Sequence, residues 1–308
     1  MSKLNISLFG RFHVDYQGAP VTAHLEARKV QELFAYLLLH RERSHSREAL
    51  ADLLWGENSS AQARKYLRQS LWQLQSALKM DDGFPGDECL SVDSEWVGIN
   101  PDTEFALDIR EFETAYESVQ GRSGADLDPQ TAHQLAKAVE LHRGNLLEGW
   151  YHDWCIFERE RLQGMHLAML NKLMMHFETI EEYEIGLVYG QRILTFDRAH
   201  ERTHWRMLRL HYLAGDRTAA LRQYERCVTA LEEELGVKPA KWTASLYDQI
   251  KADQLGDETH FSDVSEGSSG QVNRLQSLLV EFQSEVQQYI QASSLSGDRP
   301  EGDLSPAE

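Results

Sequence analysis

The chain has 308 residues, 42% of them hydrophobic, enough for two modest packed cores and a tail. Its formal net charge of −18, from 31 Lys and Arg against 49 Asp and Glu, excludes indiscriminate polyanion binding by the chain as a whole. No uninterrupted apolar run reaches the roughly 18 to 20 residues of a bilayer span, and MSKLNISLFG lacks a signal peptide's apolar core, so no membrane partner and a cytoplasmic location are expected.

In chain order, Leu4 to Phe9 and Phe12 to Tyr16 alternate like short strands, with a Gln17-Gly18 turn leading to Val21 and Thr22. A first helix, about Glu26 to His40, offers Val30, Leu33, Phe34, Leu37 and Leu38 to a core. Ser46 then caps a short helix carrying Leu50, Leu53, Leu54 and Trp55, with Gly56 placed as a left-handed stop. Ser59 with Gln62 has capping-box spacing for a longer helix running to about Met80. In that helix Leu67, Leu71, Leu74 and Leu78 recur at helical spacing and form one buried stripe. The opposite face carries Gln62, Lys65, Gln69, Trp72, Gln73 and Ser76, flanked by Arg68. Lys and Arg meet phosphates and guanine, and Gln pairs with adenine, so this face has the chemistry of a DNA recognition helix; a solvated helix face is the plain alternative. Leu90, Val92, Val97 and Ile99 bracket a polar turn at Asp93 to Glu95, the pattern of a hairpin wing. Sheet, three helices and hairpin together spell a winged helix-turn-helix.

From Phe105 to Ile250 the pattern is helical throughout. Tyr183, Gly186, Gly190 and Ile193 recur 34 residues later as Arg217, Ala220, Tyr224 and Cys227, the period of a tetratricopeptide helix pair. Gly215-Asp216 and Gly236 with Pro239 punctuate these helices. Residues 252–308 hold two basic and eleven acidic residues, half of the acidic excess. Within them 253–270 reads as an acidic linker, 271–292 as an amphipathic helix and 293–308 as a disordered tail. The helix carries a seam of Val272, Leu275, Leu279, Phe282, Val286 and Tyr289 that suits either a second copy or the repeats.

Four segments, LEARKVQELFAYLLLH, SREALADLLWGENSSAQARKYLRQSLWQLQSAL, GNLLEGWYHDWCIFERERL and AGDRTAALRQYERCVTALEEELGVKP, resemble the SARP family of antibiotic regulatory proteins and their bacterial relatives. The resemblance covers roughly residues 3 to 251. It implies a mainly α chain with an OmpR-like winged helix at 1–103 and a tetratricopeptide-like bacterial transcriptional activator domain at 104–252. It further implies a transcriptional activator that binds promoter repeats in double-stranded DNA and recruits RNA polymerase, often as a homodimer. Ala61 to Lys79 becomes the recognition helix, with Arg64, Lys65, Arg68, Gln69, Trp72 and Gln73 as the DNA-facing set. Asp153-Trp154 and Glu158-Arg159-Glu160-Arg161 fall in the family's activator signature, where Trp150, Trp154 and Phe157 are expected to pack a helix junction and the charges to pair along a helix. An adaptor that binds proteins through its repeats, its winged helix weak on DNA, is the alternative; the acidic wing tip, Asp93 and Glu95, favours it.

No enzyme, cofactor or metal is expected. The sequence has no P-loop, no His-Glu-x-x-His, no Gly-x-Ser-x-Gly and no Cys-x-x-Cys. Cys89, Cys155 and Cys227 are read as buried free thiols, and His200 with His204 as part of a solvated repeat face.

Overall fold

The computed structural model describes residues 4–16, 18–21, 25, 27–79 and 89–255. The expected segments of 256–308, including the 271–292 helix, lie outside the described residues.

Three short strands open the chain, β1 (Leu4–Ser7), β2 (His13–Tyr16) and β3 (Ala19–Pro20), paired antiparallel with Leu4 opposite Tyr16 and Tyr16 opposite Ala19. Leu4, Ile6 and Val14 alternate inward to the core shared with α1 (Arg28–Leu39), whose Leu33, Phe34, Leu37 and Leu38 have no exposed surface. Next come β4 (His45–Ser46), α2 (Arg47–Trp55) and α3 (Ser60–Leu78), then the hairpin of β5 (Leu90–Val92) and β6 (Trp96–Ile99). The hairpin register sets Val92 opposite Val97, and β4 adds a third strand through His45 and Val97.

Helix does not begin at Phe105. Residues Phe105–Leu107 form β7, parallel to β1, with Leu4 opposite Phe105 and Ile6 opposite Leu107. A three-residue apolar run is ambiguous between helix and strand on periodicity alone, and a partner strand about a hundred positions earlier decides it. The sheet order is therefore β3-β2-β1-β7. Asp108 opens α4 (Asp108–Glu117) and accepts N–H bonds from Leu8 (2.8 Å) and Phe9 (2.9 Å), tying the first strand to the helical half.

The helical half continues with α5 (Pro129–Val139), α6 (Asp153–Thr179), α7 (Tyr183–Phe196), α8 (Glu201–Leu213), α9 (Arg217–Leu235) and α10 (Lys241–Ala252). The expected repeat is present as α7 and α9. A Cβ on Gly190 would meet Met207 Cγ at 2.8 Å and Met174 Cε at 3.0 Å, so glycine lets α7 seat between α6 and α8. Gly236 ends α9 at φ 66°, as the punctuation predicts. Gly56 differs: its φ of −59° is right-handed, and glycine suits it because a Cβ would come within 2.6 Å of the Asp52 carbonyl. The three thiols are free and buried, and burial pushes each up to about 12. No described helix is long and apolar enough to cross a membrane.

Both halves share one apolar core running from Leu4 through Phe112 and Trp150 to Leu210. Strand exchange, backbone ties and common side chains thus fix the orientation of the head on the repeats.

Candidate nucleic-acid interface

The buried stripe of α3 is as the spacing requires: Leu67, Leu71, Leu74 and Leu78 are at most 2% exposed. Because these four lie on one side, the remaining arc faces outward. Gln62, Arg64, Lys65, Arg68, Gln69 and Ser76 are exposed on it, Trp72 most conspicuously at 67%, and Gln73 is half-buried at its edge. At 100° per residue Arg64 and Arg68 take the wing side of the arc, Lys65 and Trp72 its centre, and Gln69 and Gln73 the far side. Ser59 does not cap the helix N–H groups; its Oγ instead donates to Gln62 Oε1 at 3.3 Å, so the capping box is incomplete. Ser46 does cap α2, accepting from the Ala49 N–H at 3.1 Å.

The charges on this arc are unequal. Arg64 Nη1 pairs with Glu48 at 3.2 Å, both side chains well exposed. Lys65 and Arg68 have no ion pair or hydrogen bond among the described residues, and so are available to a phosphate without breaking a contact. Between α3, the start of α2 and the wing lies an open groove of 870 Å³, lined by Arg47, Arg64, Arg68, Glu95 and Trp96 among others.

Arg47 and Trp96 are functional candidates that the sequence reading passed over. The Arg47 N–H donates to the Glu95 carbonyl (2.9 Å) and its Nη1 to the Asp93 carbonyl (2.7 Å), fastening the wing to the helix-turn-helix. Trp96 alternates with buried Val97 and is 44% exposed, a position that strand alternation alone could have assigned. The Asp93 carboxylate accepts the N–H groups of Glu95 and Trp96, both at 2.7 Å, and these bonds hold its pKa down. Its charge is engaged in closing the wing turn.

Residues 107–251 match the family model of the bacterial transcriptional activator domain. The transcriptional regulatory protein MoaR1 of Mycobacterium bovis is 23% identical over 250 residues, covering 80% of this chain and 79% of that protein. Its Mycobacterium tuberculosis counterpart is 23% identical over 254 residues, with the same coverage. A solved chain of Mycobacterium tuberculosis EmbR, in complex with a low-affinity phosphopeptide, superposes with a TM-score of 0.62 at 19% identity, over 90% of this chain and 72% of that one; it shares the fold. The matched domain and these relatives together support a SARP-type transcriptional regulator.

In this chain the segment expected as the activator signature serves as a clamp. Arg159 does not pair with its helical neighbours. Its guanidinium donates to the carbonyls of Leu146 (2.6 Å), Leu147 (2.7 Å) and Trp150 (2.5 Å), gathering a loop in which Leu147 adopts a left-handed φ of 48°. That loop in turn bonds the head: Leu147 N–H donates to the Leu8 carbonyl at 2.8 Å and Glu148 N–H to that of Gly10 at 2.7 Å. Arg161 pairs with Glu158 as expected, but also reaches Glu113 at 2.5 Å, whose other oxygen takes Arg41 of the head at 2.6 Å. Trp150 and Trp154 do pack the junction, edge to face at 6.3 Å, whereas Phe157 is 65% exposed. His152 stacks on Trp154 and meets buried Glu32 at 2.9 Å; burial raises that carboxyl, but the bonds from His152, Lys29 and Arg28 outweigh it and leave its pKa lowered.

His204 is not on a solvated face, and His200 is half-buried. His204 is 3% exposed with its Nε2 on the Arg198 carbonyl, and His200 bonds Thr203.

Proposed function

We propose that this regulator reads promoter DNA through α3 and its wing. Arg64, Lys65 and Arg68 bind phosphate or guanine, Gln69 and Gln73 pair with adenine edges, and Trp72 covers the thymine methyl or sugar surface. The observation that carries this is the outward arc of α3, on which Lys65 and Arg68 have no partner among the described residues in an otherwise acidic chain. Arg47 keeps the wing against the groove, giving DNA a second point of support beside the recognition helix. On this reading the rigid join between head and repeats fixes where the activator domain lies relative to the promoter, so that it recruits RNA polymerase from a defined position. Binding to direct repeats by two copies fits the same arrangement. The protein-only adaptor reading has less support, because the relatives matched over 80% of this chain are transcriptional regulatory proteins.

Genome-wide immunoprecipitation of the tagged chain tests this directly. Sharp, repeat-containing peaks that vanish in the Lys65→Ala/Arg68→Ala variant are expected; diffuse signal unchanged by the substitutions would overturn it.

A further inference from the structure

The repeats hold a second feature, remote in sequence from the recognition helix. Between α7 and α9, floored by α8, is a crevice of 640 Å³. Sites that enclose a small ligand or a few side chains span about 300–1,000 Å³. Arg222 and Arg226 line one wall a helical turn apart, Arg198 stands across from them, and Leu194 and Ala230 add apolar surface.

Its floor is an ordered polar relay. His204 Nε2 donates to the Arg198 carbonyl at 2.8 Å, Gln223 Nε2 donates to His204 Nδ1 at 2.9 Å, and Gln223 Oε1 accepts from Arg226 Nη1 at 3.4 Å. Only a neutral imidazole protonated on Nε2 satisfies both of its bonds, and the burial of His204 keeps it neutral. The relay fixes Gln223, 1% exposed, and through it the base of Arg226. Arg198 is shared with Glu233 (3.1 Å) and Glu234 (3.6 Å), but Arg222 has no ion pair or hydrogen bond among the described residues. Glu225 also lines the crevice but forms no ion pair with Arg222, and in a chain of net charge −18 a guanidinium without an ion pair among the described residues attracts an anion.

The spacing narrows the kind of anion. Arg222 and Arg226 are separated by about 6 Å along α9. Alternate side chains of an extended peptide lie on one face about 6.6 Å apart. Guanidinium forks bind carboxylates bidentately. We infer that this crevice binds an extended acidic segment of a partner protein, with two carboxylates at alternate positions on Arg222 and Arg226.

The test is fluorescence anisotropy on the full chain with a labelled peptide containing Glu-Leu-Glu-Leu, beside Gln-Leu-Gln-Leu and Glu-Glu-Leu-Leu versions. The first is expected to bind at least tenfold more tightly than either control, and Arg222→Gln/Arg226→Gln to lose at least tenfold of that affinity. Arg222→Gln alone, which breaks no bond among the described residues, should show a partial loss and so separates recognition from folding. Lys65→Ala/Arg68→Ala should bind the peptide like the parent chain. Equal binding of the Glu and Gln peptides, no binding of either, or unchanged affinity in the double variant would overturn the inference. So would a loss of duplex DNA binding in the double variant with peptide affinity intact, since that would make the crevice a nucleic-acid surface.

Discussion

Replacing Lys65 and Arg68 with Ala removes two cations that are solvent-facing and unpaired among the described residues, so the change should fall on DNA binding and leave folding alone. Each phosphate contact contributes about 0.9 to the slope of log affinity against log salt, so losing two flattens the slope by about 1.8. Between about 50 and 200 mM salt the parent chain should therefore lose about tenfold more affinity than the variant. Arg64→Ala should flatten the slope less, because Glu48 already holds that guanidinium at 3.2 Å. The assay is an anisotropy titration of a labelled fragment from the strongest immunoprecipitation peak, at three salt concentrations, with thermal melts run alongside. A variant with an unchanged melt and an unchanged slope would refute the reasoning and remove this helix from the DNA interface.

Leu74 has no exposed surface, so Leu74→Asp should lower stability by more than about 3 kcal/mol through an unpaired buried carboxylate, read as a fall in the urea midpoint; an unmoved midpoint would contradict the assigned helix phase. Glu113→Gln leaves Arg41 and Arg161 without their shared charge. Breaking a fully buried pair costs about 3–5 kcal/mol, and the 35% exposure of Arg161 reduces the expected loss to about 2 kcal/mol by the same denaturation, with no loss meaning that the clamp is incidental. Burial lowers His40 from 6.5 to about 4 and His166 from 6.5 to about 3. With folded values depressed, the unfolded chain takes up these protons first, so stability present above 6.5 is lost as pH falls toward those values. His40→Gln with His166→Phe should flatten that acid loss by up to about two protons in a melting series; an identical pH profile would assign the acid sensitivity elsewhere.

Much of the N-terminal head was legible from the chain alone because its signals are local. The stripe from Leu67 to Leu78 fixes both the buried side of α3 and, by subtraction, the six residues proposed to face DNA. Alternation in Leu90–Val92 and Trp96–Ile99 gives the wing, and the 34-residue recurrence of small residues gives α7 and α9. Periodicity specifies which side of an element is apolar, and that is enough wherever the nearest partner is also near in sequence.

Long-range closure belonged to the tertiary structure. Phe105–Leu107 is a strand only because β1 offers a free edge, and Arg159 is a loop clamp only because three carbonyls converge on it. Phe157 has a core residue's chemistry but lies on the outer side of α6, and Arg47 gains its role from a wing turn 46 positions away. The relay beneath Arg226 likewise joins side chains from α8 and α9 to the backbone before α8. A one-dimensional pattern records how often apolar residues recur, whereas a hydrogen bond depends on where two distant groups meet and on which way each points; only the folded chain sets those.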